Sequence, residues 1–137
     1  MNAFFDTNVL AYASDDSEPV KKQIVQNLLN TFTLDNPPCI SKQVLLELFN
    51  TLTKKFRVPA EKAKKIVLLY EKFRVTMITI DDINNAMDFA VRWQLAIWDA
   101  MILYAAQKAG CSVVYSEDFN TGQKYGSVKV INPFKQI

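Results

Sequence analysis

The chain has 137 residues, half of them hydrophobic, with few glycines and prolines and a net charge of +2. That is enough for one real core and too little for two ordinary domains, so residues 1–137 read as one globular domain and not as a disordered, fibrous or low-complexity chain. Histidine is absent altogether, which excludes Ser-His-Asp and Cys-His catalysis, H-E-x-x-H zinc sites and a histidine general base. Any enzyme chemistry must then run on carboxylates, lysines, hydroxyls or a bound cation, and an oxygen-only donor set suits magnesium or manganese better than zinc.

In chain order, Ala3 to Phe5 is a brief apolar strand ending at Asp6, followed by a short helix through Val9, Leu10 and Tyr12. Asp15, Asp16 and Ser17 form a loop before a helix opened by Pro19, in which Ile24, Val25, Leu28, Leu29 and Phe32 recur at helical spacing. Asn36, Pro37 and Pro38 break it, Cys39 and Ile40 make a second strand, and Ser41 is set to cap a helix running to about Lys55. Pro59 opens a helix with Ala63, Ile66, Val67 and Tyr70 on one face. A β-branched strand from Val75 to Ile80 ends at Asp81 and Asp82, which read as the N-terminal cap of the next helix. A further helix, around Trp98 to Ala109, leads through Gly110 into the strand Ser112 to Tyr115, and Val128 to Ile131 is the last strand. Strands separated by helices imply right-handed crossovers: a three-layer α/β/α sandwich with a mostly parallel sheet of about five short strands.

No window approaches the roughly 18 consecutive apolar residues of a membrane span. The N-terminus lacks the charged and apolar regions of a signal peptide, so a cytoplasmic location away from membranes is expected. Cys39 and Cys111 are too few for a disulfide framework and read as small buried hydrophobes without a function.

Ligands in open α/β sheets bind beyond the carboxyl ends of the strands. Asp6 and Asp118 stand at such ends, although an Asp there also simply starts turns. Asp99 is the only charge in Leu95-Ala-Ile-Trp-Asp-Ala-Met-Ile-Leu-Tyr-Ala-Ala. A segment apolar on every face reads as a buried helix, where a carboxylate needs a partner such as a cation, unless Asp99 caps the helix at its solvent end. Glu47 lies on a polar stripe with Gln43, Asn50 and Lys54, which an ordinary wet helix face also explains.

Together these acids sit in segments that resemble the PIN-domain nucleases, and within them the VapC-type toxins of toxin-antitoxin pairs. Phe4-Phe5-Asp6-Thr7-Asn8-Val9-Leu10 resembles the opening strand and Asp-Thr-Asn motif, and Ser41-Lys42-Gln43-Val44-Leu45-Leu46-Glu47 the Ser and Glu helix. Trp98-Asp99-Ala100-Met101-Ile102 is similar to the Asp-Ala helix, and Tyr115-Ser116-Glu117-Asp118-Phe119-Asn120 to the last acidic motif, followed by Val130-Ile131-Asn132-Pro133-Phe134. The order and spacing cover nearly the whole chain. Trp98 stands where Tyr or Phe is frequent and Ser116 where Thr is, but every acidic position is kept. The resemblance implies that Asp6, Asp99 and Asp118 hold one or two magnesium or manganese ions, with Glu47 completing a catalytic set directly or through water. Thr7, Asn8, Ser116 and Asn120 would orient those acids. It implies an endoribonuclease leaving 5′-phosphate and 3′-hydroxyl ends, a cognate antitoxin protein as partner, and a homodimer.

Charge placement speaks to the substrate. Residues 54 to 74 hold eight Lys or Arg against Glu61 and Glu71, a net of +6, so the rest of the chain is −4. A concentrated positive field fits an RNA partner, and a solvated helix face explains it equally. Tyr12, Trp93 and Trp98 are potential base-stacking aromatics, although core packing is the better account of both tryptophans. Two other classes stand beside the nuclease. One is a catalytically silent module of the same fold that binds RNA or protein. The other is a phosphoryl-accepting receiver, which requires an early acidic pair where this first strand ends in a single Asp.

Overall fold

The computed structural model describes residues 2–135. Strand β1 (Ala3–Phe5) leads into helix α1 (Thr7–Tyr12), then α2 (Pro19–Leu29), β2 (Cys39–Ser41) and α3 (Lys42–Lys54). Helix α4 (Ala60–Leu69) and a 3-10 turn (Tyr70–Lys72) precede β3 (Arg74–Thr76); α5 (Ile80–Trp93) and α6 (Ile97–Lys108) form the second helical block. Strands β4 (Val113–Tyr115), β5 (Lys124–Tyr125) and β6 (Val128–Ile131) close the chain. The sheet order is β3-β2-β1-β4-β6-β5, parallel throughout except for the β5–β6 hairpin. This is the expected three-layer α/β/α sandwich, with six strands in place of about five. The added strand is the two-residue β5, too short to carry an alternation.

Local chemistry explains most boundaries. Strands β1, β2 and β4 are buried along their whole length, as parallel strands covered on both faces must be. Ser41 caps α3 by accepting from the Val44 N–H at 3.4 Å, and Val44, Leu48 and Leu52 form its buried stripe at four-residue spacing. Helix α2 stops at Leu29, so Phe32 joins the core from the following turn, where its ring meets Phe5 edge-on at 5.7 Å.

Two expectations about the third strand and its helix are corrected. The β-branched run does not stay extended to Ile80, because β3 leaves the sheet after Thr76 and Thr79 becomes the N-cap of α5. Asp81 and Asp82 therefore lie inside the first turn, where Thr79 is the N-cap and Asp82 its partner at the third helical position. Thr79 accepts from the Asp82 N–H at 3.2 Å while the Asp82 carboxylate accepts from the Thr79 N–H at 2.8 Å, a reciprocal capping box. Asp82 also takes the Tyr104 hydroxyl at 2.7 Å and pairs with Lys108, which fastens α5 to α6. The Lys108 ammonium beside it, with the Thr79 and Tyr104 hydrogen bonds, holds this carboxyl well below the usual range.

Replacing Thr79 by Ala removes one half of the box, and urea unfolding is expected to show a loss of about 1 kcal/mol with an unchanged denaturant slope. An unchanged midpoint would mean that the α5 start is held by packing alone.

Candidate active site

Register decides the geometry. Phe5 and Tyr115 are paired ends of neighbouring parallel strands, so the residues after them, Asp6 and Ser116, stand side by side where the sheet stops. The Asp6 N–H still donates to Tyr115 O at 3.0 Å and the Ser116 N–H to Ile131 O at 3.1 Å, which holds both backbones in line with the sheet. Ser116 Oγ donates to Asp6 Oδ2 at 2.7 Å, and Asp6 Oδ1 accepts from the Thr7 N–H at the same distance. Ser116 Oγ in turn accepts from the Asp118 N–H at 3.1 Å and from Asn8 Nδ2 at 3.4 Å. Asn8 Oδ1 accepts from the Glu117 N–H at 3.3 Å, so one small network sets the loop that carries Asp118.

Asp6, Glu47 and Asp118 line one cleft of about 280 Å³ together with Thr7, Asn8, Tyr12, Thr51, Lys55 and Glu117. Asp6 is buried, whereas Glu47 and Asp118 are exposed at the cleft wall. Burial pushes the Asp6 carboxyl up to about 7, and the charges of Asp118 and Glu47 add to the rise against the Ser116 and Thr7 hydrogen bonds. Asp99 does not line the cleft. It sits in the first turn of α6, three residues after the N-cap Ala96, and is raised by burial and by the charge of Asp118. It is half-buried, close enough to feel the charge of Asp118, and does not cap the helix.

Several sequence expectations need adjustment here. Helix α6 is not buried on every face: Trp98, expected in the core, is 68% exposed, while Trp93 does pack, edge-on to Tyr125 at 5.5 Å. The Asn120 amide donates to Gln123 Oε1 at 3.0 Å and steadies the loop before β5, and no hydrogen bond among the described residues joins it to the acids. The polar side chains that face the cleft from α3 are Glu47 and Thr51, continued by Lys55 at its C-cap, while Asn50 and Lys54 stand outside it. Glu117, expected only as part of a motif, lines the cleft and takes Lys21 Nζ at 2.8 Å. That lysine lies 4.6 Å from the Tyr12 ring centroid and 5.1 Å from that of Phe134, contacts between residues far apart in sequence that no local pattern announces.

Among the described residues no three acidic or thiol side chains are gathered at metal-coordinating distances. The donor chemistry nevertheless fits a hard dication. Asp6, Glu47, Asp99 and Asp118 are oxygen donors that repel one another, and the ion pairs of the described residues involve none of them. Thr7 Oγ1, in the same cleft, is buried without a hydrogen-bond partner. A cation would offset the repulsion and give the orphaned oxygen a neighbour.

With this geometry in hand, the comparisons place the chain. The PIN domain family model matches residues 3–125, and the chain belongs to that family. No curated protein matches as a relative. Among solved structures, a toxin-antitoxin complex from Klebsiella pneumoniae superposes with a TM-score of 0.68 at 20% identity, over 98% of this chain and all of that one. VapC20 of Mycobacterium tuberculosis, described as a sarcin-ricin loop cleaving toxin, gives 0.66 at 21% identity, over 85% of this chain and 90% of that one. VapBC2 of Rickettsia felis, bound to a DNA fragment from its promoter, gives 0.64 at 14% identity, over 95% and 97%. At these identities the likeness shows a shared fold.

The raised Asp6 pKa has a stability consequence in metal-free buffer. Between about pH 4 and 7 the unfolded chain releases this proton while the fold retains it, so stability falls as pH rises through that window and is level above it. A shift from 3.8 to about 7 corresponds to roughly 4 kcal/mol. Asp6→Asn is expected to be more stable than the parent at pH 8 and nearly equal to it at pH 4, measured by urea unfolding with a chelator present. An equal difference at both pH values would contradict the burial-driven shift.

Proposed function

We propose that this chain is a magnesium- or manganese-dependent endoribonuclease acting as the toxin of a toxin-antitoxin pair. The observation that carries the proposal is the uncompensated carboxylate group centred on Asp6, at the carboxyl ends of β1 and β4, in a chain without histidine. Asp6, Asp99 and Asp118 would hold the cation and Glu47 would complete the set. Bound there, the dication supplies Lewis acidity toward the scissile phosphate and an attacking water. The chain's own residues prepare the site. Ser116 and the Thr7 N–H fix the Asp6 carboxylate, Asn8 and Ser116 fix the loop of Asp118, and Gln43 Nε2 donates both to Glu47 at 2.7 Å and to Trp98 O at 3.2 Å. That last bridge holds α3 beside the first turn of α6, where Asp99 sits.

The basic segment supports an RNA substrate. It starts at the cleft, since Lys55 lines it, and continues through Lys62, Lys64 and Lys65 on the exposed face of α4. A phosphate backbone crossing that face would meet cations before reaching the acids. The antitoxin partner is proposed from the Klebsiella and Rickettsia assemblies named above. The homodimer is supported by Ile80, Ile83, Met87 and Val91, an exposed apolar stripe along α5 at near-helical spacing, a surface that a monomer has no reason to keep. A cytoplasmic site of action accords with an RNA target, and no helix among the described residues is long and apolar enough to cross a membrane.

Purified protein with magnesium is expected to cleave RNA to fragments with 5′-phosphate ends, and Asp6→Asn or Asp99→Asn to lower the rate by roughly 100-fold or more. Intact RNA, or unchanged cleavage by these variants, would overturn the nuclease; retained RNA binding without dication binding would favour the silent module. The double variant Lys64→Ala, Lys65→Ala is expected to weaken RNA binding evenly across sequences and to lower the salt slope by about 0.7 per lost phosphate contact. Sedimentation of Met87→Asp with Val91→Asp is expected to show monomer where the parent shows dimer. A monomeric parent would refute the proposed interface.

A further inference from the structure

Glu47 lines two openings: the acid cleft and a larger groove of about 510 Å³. Leu46, Ile78, Trp98 and Met101 give the groove its apolar lining, and Lys42 and Gln43 are its other polar members. Leu46 and Trp98 are both exposed, so a leucine and an indole ring face solvent beside the acids. One exposed apolar side chain means little, whereas a continuous apolar lining rimmed by charged groups marks a surface that binds something.

Trp98 is tied to two of the four acids. Gln43 Nε2 donates to Glu47 Oε1 at 2.7 Å and to Trp98 O at 3.2 Å, and Asp99 follows Trp98 in the first turn of α6. Charge points to the occupant. Lys42, in the first turn of α3, lines the groove, Lys55 at the C-cap of α3 lines the cleft, and Glu47 lies between them on the same helix. From Lys42 to Glu47 the helix rises about 7.5 Å, a distance that one nucleotide of an extended strand spans. An anionic backbone laid along α3 therefore meets a cation on each side of the acids. A second protein copy seated in the groove would instead desolvate Lys42 and Glu47 against apolar surface. A nucleobase, apolar on its faces and joined to phosphates that stay in water, imposes no such cost.

We propose that Trp98 determines specificity in the nuclease proposed above, on which this inference rests. Its indole stacks a base next to the scissile phosphate, and the preferred substrate is single-stranded or looped RNA whose bases can splay out. Aromatic side chains hold unpaired bases in this way, and the contact accepts any base because each has a π face. A base inside a duplex keeps both faces against its neighbours and does not reach Trp98. The groove thus selects for strand conformation and not for sequence.

The test reads the ring itself and needs no cleavage. Trp93→Phe leaves Trp98 as the sole tryptophan and keeps an aromatic ring against Tyr125. Titrating this protein with a single-stranded oligoribonucleotide, at low salt with a chelator present, is expected to quench its emission to saturation. An abasic oligonucleotide of equal length and a blunt RNA duplex are expected to leave the emission nearly unchanged. Trp98→Ala is expected to weaken single-strand binding about 10-fold. Trp98→Phe should restore most of that loss and Trp98→Leu, apolar but without a ring, little of it, all three with the parent's urea midpoint. Cleavage of single-stranded RNA without quenching, equal quenching by the duplex, or full rescue by leucine would overturn the stacking site and leave the nuclease standing. Saturable quenching in a protein that cleaves nothing would strike the nuclease and support the base platform. Unaltered RNA binding by Trp98→Ala, with sedimentation showing a monomer where the parent is a dimer, would make the groove an interface between copies and overturn the proposal.

Discussion

A carboxylate forced out of water at the end of a central strand is the constraint around which this molecule is arranged. Phe5 and Tyr115 end β1 and β4 in register, so Asp6 emerges between buried neighbours with only Ser116 Oγ and the Thr7 N–H to satisfy it. Two hydrogen bonds do not offset the loss of hydration together with the negative charges of Asp118 and Glu47. The fold therefore carries a local cost, and the core built from β1, β2, β4, α3 and α6 supplies the stability that tolerates it.

That cost makes sense of the surroundings. Parallel strands deliver their exits to one side, so Asp6, the Asp118 loop and the α3 helix that follows β2 converge without any of them being adjacent in sequence. Among the described residues no ion pair joins a cation to Asp6, Glu47, Asp99 or Asp118, yet Lys55 lines their cleft and further lysines follow along α4. The charge pattern thus sets an unpaired group of acids beside a basic surface.

Much of this was legible from sequence because it depends on short-range chemistry. Asp6 and Asp118 follow apolar β runs that can only be buried strands, and Ser41 announces the start of α3. What failed did so for identifiable reasons. Val75 to Ile80 has the composition of a strand, yet a Thr three residues before an Asp is also a capping box, and the box won at Thr79. Leu95 to Ala106 is apolar all round, which reads as burial, but one face is outward and leaves Trp98 exposed. Asp99 is accordingly less enclosed than expected and reaches the acids through Asp118. Contacts between residues far apart in sequence, such as Lys21 with Glu117, leave no periodic trace in the chain.

The function proposed above makes Asp6 a dication ligand that burial holds partly protonated until the ion arrives. Titrating metal-free protein with manganese at pH 7 by calorimetry, in two buffers of different ionisation enthalpy, tests it directly. Binding that releases about half a proton per ion in the parent, and none in Asp6→Asn, is the predicted result. Absence of binding, or a binding heat independent of the buffer, would contradict it.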